Sequence, residues 1–217
     1  MTDWTYGGHA AKYHMERAIP LPNDSMVKVA DWMIEMPTFM HRADTLFVDP
    51  PWNMGNVKAF YTKAGIQHPA WMDEPFTDFL DKLFDRIASI GPHTVFMEMG
   101  KEYLAYCLTV LQQRYPFVTF YNATYYRQSK NKCYVIHASN KVKKRLVVLE
   151  DMDEEAIIEW VCTHYPYGVI GDLCMGTGLV GWYAHKAGRS FVGTELNENR
   201  LAILVDAIVQ NKRGLKR

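Results

Sequence analysis

One segment constrains the fold more than any other. A short apolar run, Val169 to Leu173, enters the turn Gly171-Asp172-Leu173-Cys174-Met175-Gly176-Thr177-Gly178. A helical pattern from Leu179 to Ala187 follows, then a second apolar run from Phe191 to Glu195, then a helical pattern from Asn197 to Val209. A strand that enters a glycine turn and opens a helix, followed by another strand, is a unit of parallel sheet. Glycines there let a ligand approach the backbone, and a helix N-terminus favours a negative group. Glu195, an acid ending the second strand, is placed to accept hydrogen bonds from ribose hydroxyls. The segment describes a site for a nucleoside-containing ligand.

The rest of the chain alternates in the same way. Residues 1–25 read as irregular, with Gly7-Gly8 and Pro20-Leu21-Pro22, and Val27 to Met36 as a short helix stopped by Pro37. Asp44 to Asp49 reads as a buried strand ended by Pro50-Pro51, and Asn53 to Glu74 as a long loop. Phe76, Phe79, Leu80, Leu83, Phe84 and Ile87 mark one face of a helix from Pro75 to Ile90. His93 to Met99 is a further strand and Lys101 to Arg114 a further helix. Phe117 to Tyr126, Lys132 to Ala138 and Leu146 to Glu150 read as three partly antiparallel strands, and Asp153 to His164 as a helix with acids in its first turn. The expected class is α/β, with a mainly parallel sheet and helices on both faces.

The turn also satisfies the spacing of a dinucleotide fingerprint, Gly176-Thr177-Gly178-Leu179-Val180-Gly181. Two observations count against a dinucleotide. Only 36 residues follow Gly181, too few for the second half of such a fold. The turn also begins with Asp172, poorly placed for a pyrophosphate but useful beside a cationic amine.

A second motif, Asp49-Pro50-Pro51-Trp52, stands at the end of a strand, where α/β sheets place their ligands. An amine conjugated to a purine or pyrimidine ring is a poor nucleophile because its lone pair is delocalised. A carboxylate and a backbone carbonyl that accept its two hydrogens draw the nitrogen toward tetrahedral geometry. Asp49 can supply the first and Pro50 the second; Pro51 stiffens the turn, and Trp52 offers a flat face for a base.

Asp-Pro-Pro-Trp resembles the catalytic motif of the amino-methyltransferases, which methylate N6 of adenine or N4 of cytosine, and the turn at Asp172 to Gly178 resembles their cofactor motif. The catalytic motif comes first, as in the permuted beta group of DNA methyltransferases, and the resemblance spans roughly residues 20 to 210. It implies a Rossmann-like S-adenosylmethionine-dependent methyltransferase fold in a single domain over residues 1–217, with circularly permuted motif order. It further implies that S-adenosylmethionine is held by Asp172, Leu173, Cys174, Gly176, Thr177, Gly178, Glu195, Leu196 and Asn197. Asp24, which precedes Asp49 by 25 residues, takes the place of an aspartate that contacts the cofactor adenine. Asp49, Pro50, Pro51 and Trp52 are the catalytic set, acting on a base flipped from the duplex.

The implied reaction is methylation of N6 of adenine in DNA. RNA adenosine or N4 of cytosine in DNA are the alternatives; a protein-glutamine methyltransferase or a non-catalytic nucleic-acid-binding subunit stands further off. Many members of the group carry a long target-recognition region between the motifs. Here only residues 117–150 are available, so selectivity is expected to be short, relaxed, or supplied by a second subunit such as a homodimer partner. The biological role, whether restriction-modification, regulation or phage self-protection, is open.

Charge bears on the partner. The chain has 24 basic and 24 acidic residues, so it lacks the overall basic footprint of many DNA-binding proteins. Arg127, Lys130, Lys132, Lys141, Lys143, Lys144 and Arg145 nevertheless form a stretch free of acids, and we expect them on one rim of the cleft, gripping DNA phosphates. The tail from Asn211 to Arg217 is basic too. Tyr121, Tyr125 and Tyr126 are candidates for holding the base or for sheet packing. Cys107, Cys133, Cys162 and Cys174 form no CxxC pair, and the histidines lack ligand spacing, so no metal site or disulfide framework is expected. No apolar run approaches membrane length and Met1-Thr2-Asp3-Trp4 does not open a signal peptide, so a cytoplasmic protein without membrane contact is expected.

Overall fold

The computed structural model of the chain describes residues 8–166 and 168–213. In chain order the elements are β1 (Ile19–Leu21), β2 (Ser25–Val29), β3 (Ala43–Val48), α1 (Met54–Lys63), α2 (Phe76–Ile90), β4 (Thr94–Met99) and α3 (Lys101–Gln112). There follow β5 (Phe117–Tyr125), β6 (Gln128–Ser139), β7 (Met152–Asp153), α4 (Glu154–His164), β8 (Val169–Asp172), α5 (Leu179–Lys186), β9 (Phe191–Glu195) and α6 (Glu198–Val209). One sheet takes the strands in the order β1-β2-β9-β8-β3-β4-β6-β5-β7. Its centre is parallel: β2, β9, β8, β3 and β4 all run the same way. The long hairpin β5–β6 joins this sheet, with β6 antiparallel to β4 from Thr94↔Ser139 to Met99↔Tyr134.

Helices cover both faces. On one, Phe47, Phe96, Tyr121 and Val135 of the strands pack with Ile157 and Val161 of α4, Val180 of α5, and Leu201 and Val205 of α6. On the other, Leu46, Val48, Val95 and Met97 pack with Phe79, Leu80, Leu83 and Phe84 of α2 and with Cys107 and Leu111 of α3. Leu80, Leu83 and Phe84 are wholly buried; each such side chain contributes about 1.5–3 kcal/mol relative to exposure. The alternation of residues 46 to 48 between the two cores is the period-2 signature of a strand buried on both sides. No helix among the described residues is long and apolar enough to cross a membrane.

Four expectations change. Val27 to Met36 is not a helix: Ser25–Val29 is a strand paired with β9 through Met26↔Val192 to Val29↔Glu195, and sheet pairing overrides the helix-favouring Met, Ala and Glu side chains. Residues 1–25 are less irregular than their turn residues suggest, since Ile19–Leu21 pairs with β2; residues 1–7 lie outside the described part. Asn53 to Glu74 is mostly helical. Asn53 caps α1 by accepting from Asn56 N at 2.9 Å, and Ala70–Asp73 adds a short 3-10 turn. Leu146 to Glu150 is a 3-10 turn rather than a strand, with Val147 and Val148 exposed. Of the basic tail, residues 214–217 lie outside the described part.

Candidate active site

The five parallel strands deliver acids to the same edge of the sheet. Asp31 follows β2, Glu195 ends β9, Asp172 ends β8, Asp49 follows β3 and Glu98 lies near the end of β4. All five line one cavity of about 520 Å³, and the cations among its lining residues are Lys63 and Arg200. Such a cavity favours a positively charged ligand by plain Coulomb attraction. Among the described residues, no group of three or more His, Cys, Asp or Glu side chains is arranged to hold a metal ion.

The glycine turn is built by its own backbone. Asp172, buried at the end of β8, accepts from Cys174 N at 2.8 Å and so bends the chain out of the strand. Gly176 and Gly178 have φ of 58° and 83°, the left-handed region that glycine enters without steric cost. A Cβ on Gly176 would stand 2.7 Å from a terminal nitrogen of Arg200, so the turn lies tight against the α6 side chain. Glu195 ties this turn to the next strand: its carboxylate accepts from Gly176 N at 2.6 Å and from Asn197 N at 3.0 Å. Burial pushes the Glu195 carboxyl up, opposed by Arg200 at 3.9 Å and by the backbone donors. Thr194 Oγ1 donates to Leu173 O at 3.0 Å and fixes the other side of the turn.

Asp172, Leu173, Cys174, Gly176, Thr177, Glu195 and Leu196 therefore line the cavity together. Gly178 and Asn197 shape it from behind: Gly178 is the N-cap of α5. Asn197 caps α6 and donates to Lys63 O at 2.8 Å, joining α6 to the end of α1.

Asp24 does not belong to this site. It occupies the β1–β2 turn with φ of 54°, pairs with Arg42, and is at the start of β2, whereas the cavity lies past the end of that strand. Asp31 is the acid that β2 does bring to the cavity. Its carboxylate accepts from Tyr61 OH at 2.5 Å and from Met33 N at 3.0 Å. Burial first, and then Asp31, push the Tyr61 hydroxyl well above the usual tyrosine range, so it stays a donor. The sequence signal for Asp31 is the same as for Glu195, an acid ending an apolar strand, and a helical reading of Val27 to Met36 obscures it.

Asp49, Pro50, Pro51 and Trp52 line the same cavity as the glycine turn, although residues 53–170 separate them in the chain. Trp52 is held between two neighbours. A Cβ at Gly100 would stand 3.0 Å from Trp52 Cε3, so only a glycine leaves the indole its place. Tyr125 meets it with ring centroids 5.5 Å apart. Trp52 Nε1 is buried and makes no hydrogen bond to the protein. Tyr125 and Tyr126 line the cavity, while Tyr121 is core: wholly buried, with its hydroxyl 3.3 Å from His137 Nδ1. Asn56, Phe60 and Lys63 of α1 and Arg200 of α6 also line the cavity. The three α1 residues follow from the Asn53 cap and the Val57, Phe60, Tyr61 spacing, which a loop reading of residues 53–74 hides.

The basic stretch is divided by the hairpin. All seven cations are exposed. Arg127, Lys130 and Lys132 precede Tyr134, the partner of Met99 at the end of β4, and so stand at the cavity edge of the sheet. Lys141, Lys143 and Lys144 follow Ser139, the partner of Thr94 at the start of β4; Asn140 N bonds His93 O at 2.9 Å. Residues 133–139 of the strand, seven in all and about 24 Å long, separate the two sets, so the expected single rim does not exist. Arg145 lies over the Tyr121 ring at 5.3 Å and pairs with Glu150, whereas Arg127 pairs with Glu155 at 3.1 Å.

No protein-family model matches the sequence, and no curated protein matches it. Solved structures do. M1.HpyAVI is 15% identical with a TM-score of 0.56, covering 86% of this chain and 98% of that one; it has also been solved with S-adenosylmethionine. TTHA0409 of Thermus thermophilus is 12% identical with a TM-score of 0.57, covering 87% and 96%, and it too has been solved with S-adenosylmethionine. The cytosine-N4-specific PvuII DNA methyltransferase is 10% identical with a TM-score of 0.50, covering 92% and 100%. At such identities the likeness is one of architecture, and the chain has the mixed α/β fold of these solved proteins, a mostly parallel nine-stranded sheet between helices.

Proposed function

We propose that the chain is an S-adenosylmethionine-dependent methyltransferase acting on the exocyclic amine of a nucleic-acid base, N6 of adenine in DNA. The observation that carries this reading is the meeting of Asp49-Pro50-Pro51-Trp52 and the acid-flanked glycine turn in one cavity.

The residues present fit the cofactor. The acids suit a ligand with a sulfonium and an ammonium group, the glycine turn at Gly176 lines the same cavity, and the buried Trp52 Nε1 marks a polar occupant. Glu195 is suited to the ribose hydroxyls, Asp172 to the methionine ammonium, and Asp31 to the adenine in the place assigned above to Asp24. Bound there, S-adenosylmethionine supplies a methyl group on a positively charged sulfur.

Asp49 and the Pro50 carbonyl accept the two hydrogens of the target amine and localise its lone pair. Trp52 and Tyr125 present flat faces to the base, and the enclosing walls exclude water. Once the nitrogen has become acidic, its proton leaves through Asp49 or water. Neither the cysteines nor a covalent intermediate has a part. A duplex must release the base by flipping it, and Arg127, Lys130 and Lys132 at the tip of the β5–β6 hairpin are placed to take phosphates beside the cavity. That tip is the part of residues 117–150 suited to contacting the target, in a single catalytic domain. Selectivity from a homodimer partner is compatible with this arrangement.

The test is transfer of tritium from methyl-labelled S-adenosylmethionine to DNA, RNA and protein, with the nucleic acid digested to nucleosides. The reading predicts N6-methyldeoxyadenosine. Label in N4-methyldeoxycytidine, the product type named for PvuII, would move the target to cytosine, and label in RNA alone would move the substrate. Label in protein alone, or none, would overturn the reading.

A further inference from the structure

Tyr126 has no part in the chemistry above, although it lines the cavity. Its side chain is 47% exposed, and among the described residues it is the one exposed large apolar residue that reaches the cavity. With Arg127 it forms the two-residue connection of the β5–β6 hairpin, since Tyr125 pairs with Gln128. Both connecting residues have left-handed backbone, with φ of 58° and 55°. A hairpin connection of this kind favours asparagine followed by glycine, and a bulky side chain in that conformation is strained. The N-cap and the first residue of α4 hold the turn. Tyr126 N donates to Glu154 Oε2 at 3.0 Å, and Arg127 N donates to Asp153 Oδ2 at 2.6 Å. The tip is thus fixed with a tyrosine where asparagine would fold more readily.

The ring continues a series. Trp52 meets Tyr125 with centroids 5.5 Å apart, and Tyr125 meets Tyr126 with centroids 3.9 Å apart. The Tyr125 hydroxyl donates to that of Tyr126 at 3.1 Å. The series leads from the half-buried Trp52 of the catalytic motif to the exposed tip, where Arg127, Lys130 and Lys132 stand. Aromatic rings in series beside cations hold successive bases of a strand with little regard to sequence. A base turned into the cavity leaves its neighbour in the strand at the mouth, with one face no longer covered. An exposed ring at the mouth can cover that face.

We propose that Tyr126 is a positioning residue that stacks on the nucleobase next to the target base, taking up the face that flipping exposes. The inference rests on the base-amine reading of the cavity and extends it from the target nucleotide to its neighbour.

The test uses a duplex oligonucleotide that the protein methylates, and the same duplex with an abasic residue on the 5′ or the 3′ side of the target. The kcat/KM of each is measured for the wild type, Tyr126→Phe and Tyr126→Asn. Comparing proteins on the same pair of substrates cancels any effect of the abasic residue on flipping itself. On one of the two flanks the wild-type kcat/KM should fall about 5- to 100-fold more than that of Tyr126→Asn, the scale of one base stacked on an aromatic ring. Tyr126→Phe, which keeps the ring, should behave as the wild type. Tyr126→Asn should lose a similar factor on the intact duplex. Its S-adenosylmethionine affinity should be unchanged by calorimetry, and urea denaturation should show a fold at least as stable, because asparagine suits the turn. Equal discrimination against the abasic duplexes by the wild type and Tyr126→Asn, or a Tyr126→Phe variant as impaired as Tyr126→Asn, would overturn the inference while leaving the methyltransferase reading intact. A wild type that methylates no nucleic acid would end both.

Discussion

Gly100→Ala isolates the position of Trp52 from everything else in the site. Gly100 has φ of −72° and ψ of 166°, extended backbone that any residue adopts, so alanine brings no backbone strain. As the N-cap of α3 it makes no side-chain cap bond. The change from glycine to alanine at a cap costs about 0.5–1 kcal/mol, and the smaller unfolded-state entropy of alanine returns about 0.4–1 kcal/mol. Net stability should therefore stay within about 1 kcal/mol of the wild type.

The new methyl, however, falls 3.0 Å from Trp52 Cε3 and 3.3 Å from Cδ2. Ordinary carbon contacts lie at about 3.5–4.0 Å, so the indole must yield by about half an ångström. A misplacement of about 1 Å at a reacting centre can cost roughly a hundredfold, so half of that predicts a loss of about tenfold in kcat. The assay is methyl transfer at saturating substrates, with urea denaturation and calorimetric S-adenosylmethionine binding alongside. An unaltered kcat would refute the reasoning, because Trp52 would then not set the position of the base.

Other outcomes follow from the same geometry. Asp31→Ala should weaken S-adenosylmethionine binding by about 1–3 kcal/mol, whereas Asp24→Ala should leave it unchanged; calorimetry giving the reverse order would restore Asp24. Replacing Arg127, Lys130 and Lys132 by Ala should flatten the salt dependence of DNA binding by up to about 2.7 logarithmic units, and the same change at Lys141, Lys143 and Lys144 should not; equal slopes would mean that DNA does not lie along the cavity edge. His137 is wholly buried, and burial holds its imidazole down to about 4. The unfolded chain, with an ordinary histidine near 6.5, then binds the proton that the folded chain resists. Stability is full above that value and declines as pH falls toward 4, by about 2 kcal/mol at pH 5. Urea denaturation of the wild type between pH 7.5 and pH 5 should show that extra loss relative to His137→Gln; identical pH dependence would contradict it.

Much of this molecule is legible in its sequence because strands buried on both faces, such as Ala43–Val48 and Thr94–Met99, write themselves as short apolar runs. The seven buried apolar positions of Phe76–Ile90 give α2 by their helical spacing. Ser25–Val29 is illegible for a tertiary reason, since its pairing with β9, 166 residues away, decides its form. That difference carries through to the site by exchanging Asp31 for Asp24. The α1 segment is hidden by Gly55 and Gly65, which suggest a loop, although Gly55 sits in the first turn and Gly65 just past the end of the helix.

The basic stretch misleads for want of topology. Its residues are neighbours in sequence, but an antiparallel strand of 12 residues carries them to opposite edges of the sheet. Glu98 escapes a sequence reading because one acid in an apolar strand carries no motif; only the fold shows that it lines the cavity.

The central claim, that Asp49 receives the target amine rather than the cofactor, is tested most directly by tritium transfer from S-adenosylmethionine to DNA with wild-type and Asp49→Ala protein, each with its cofactor affinity measured by calorimetry. The account predicts at least about a hundredfold loss of transfer with cofactor affinity unchanged. Near-wild-type transfer by Asp49→Ala, or a loss matched by an equal loss of cofactor binding, would contradict it.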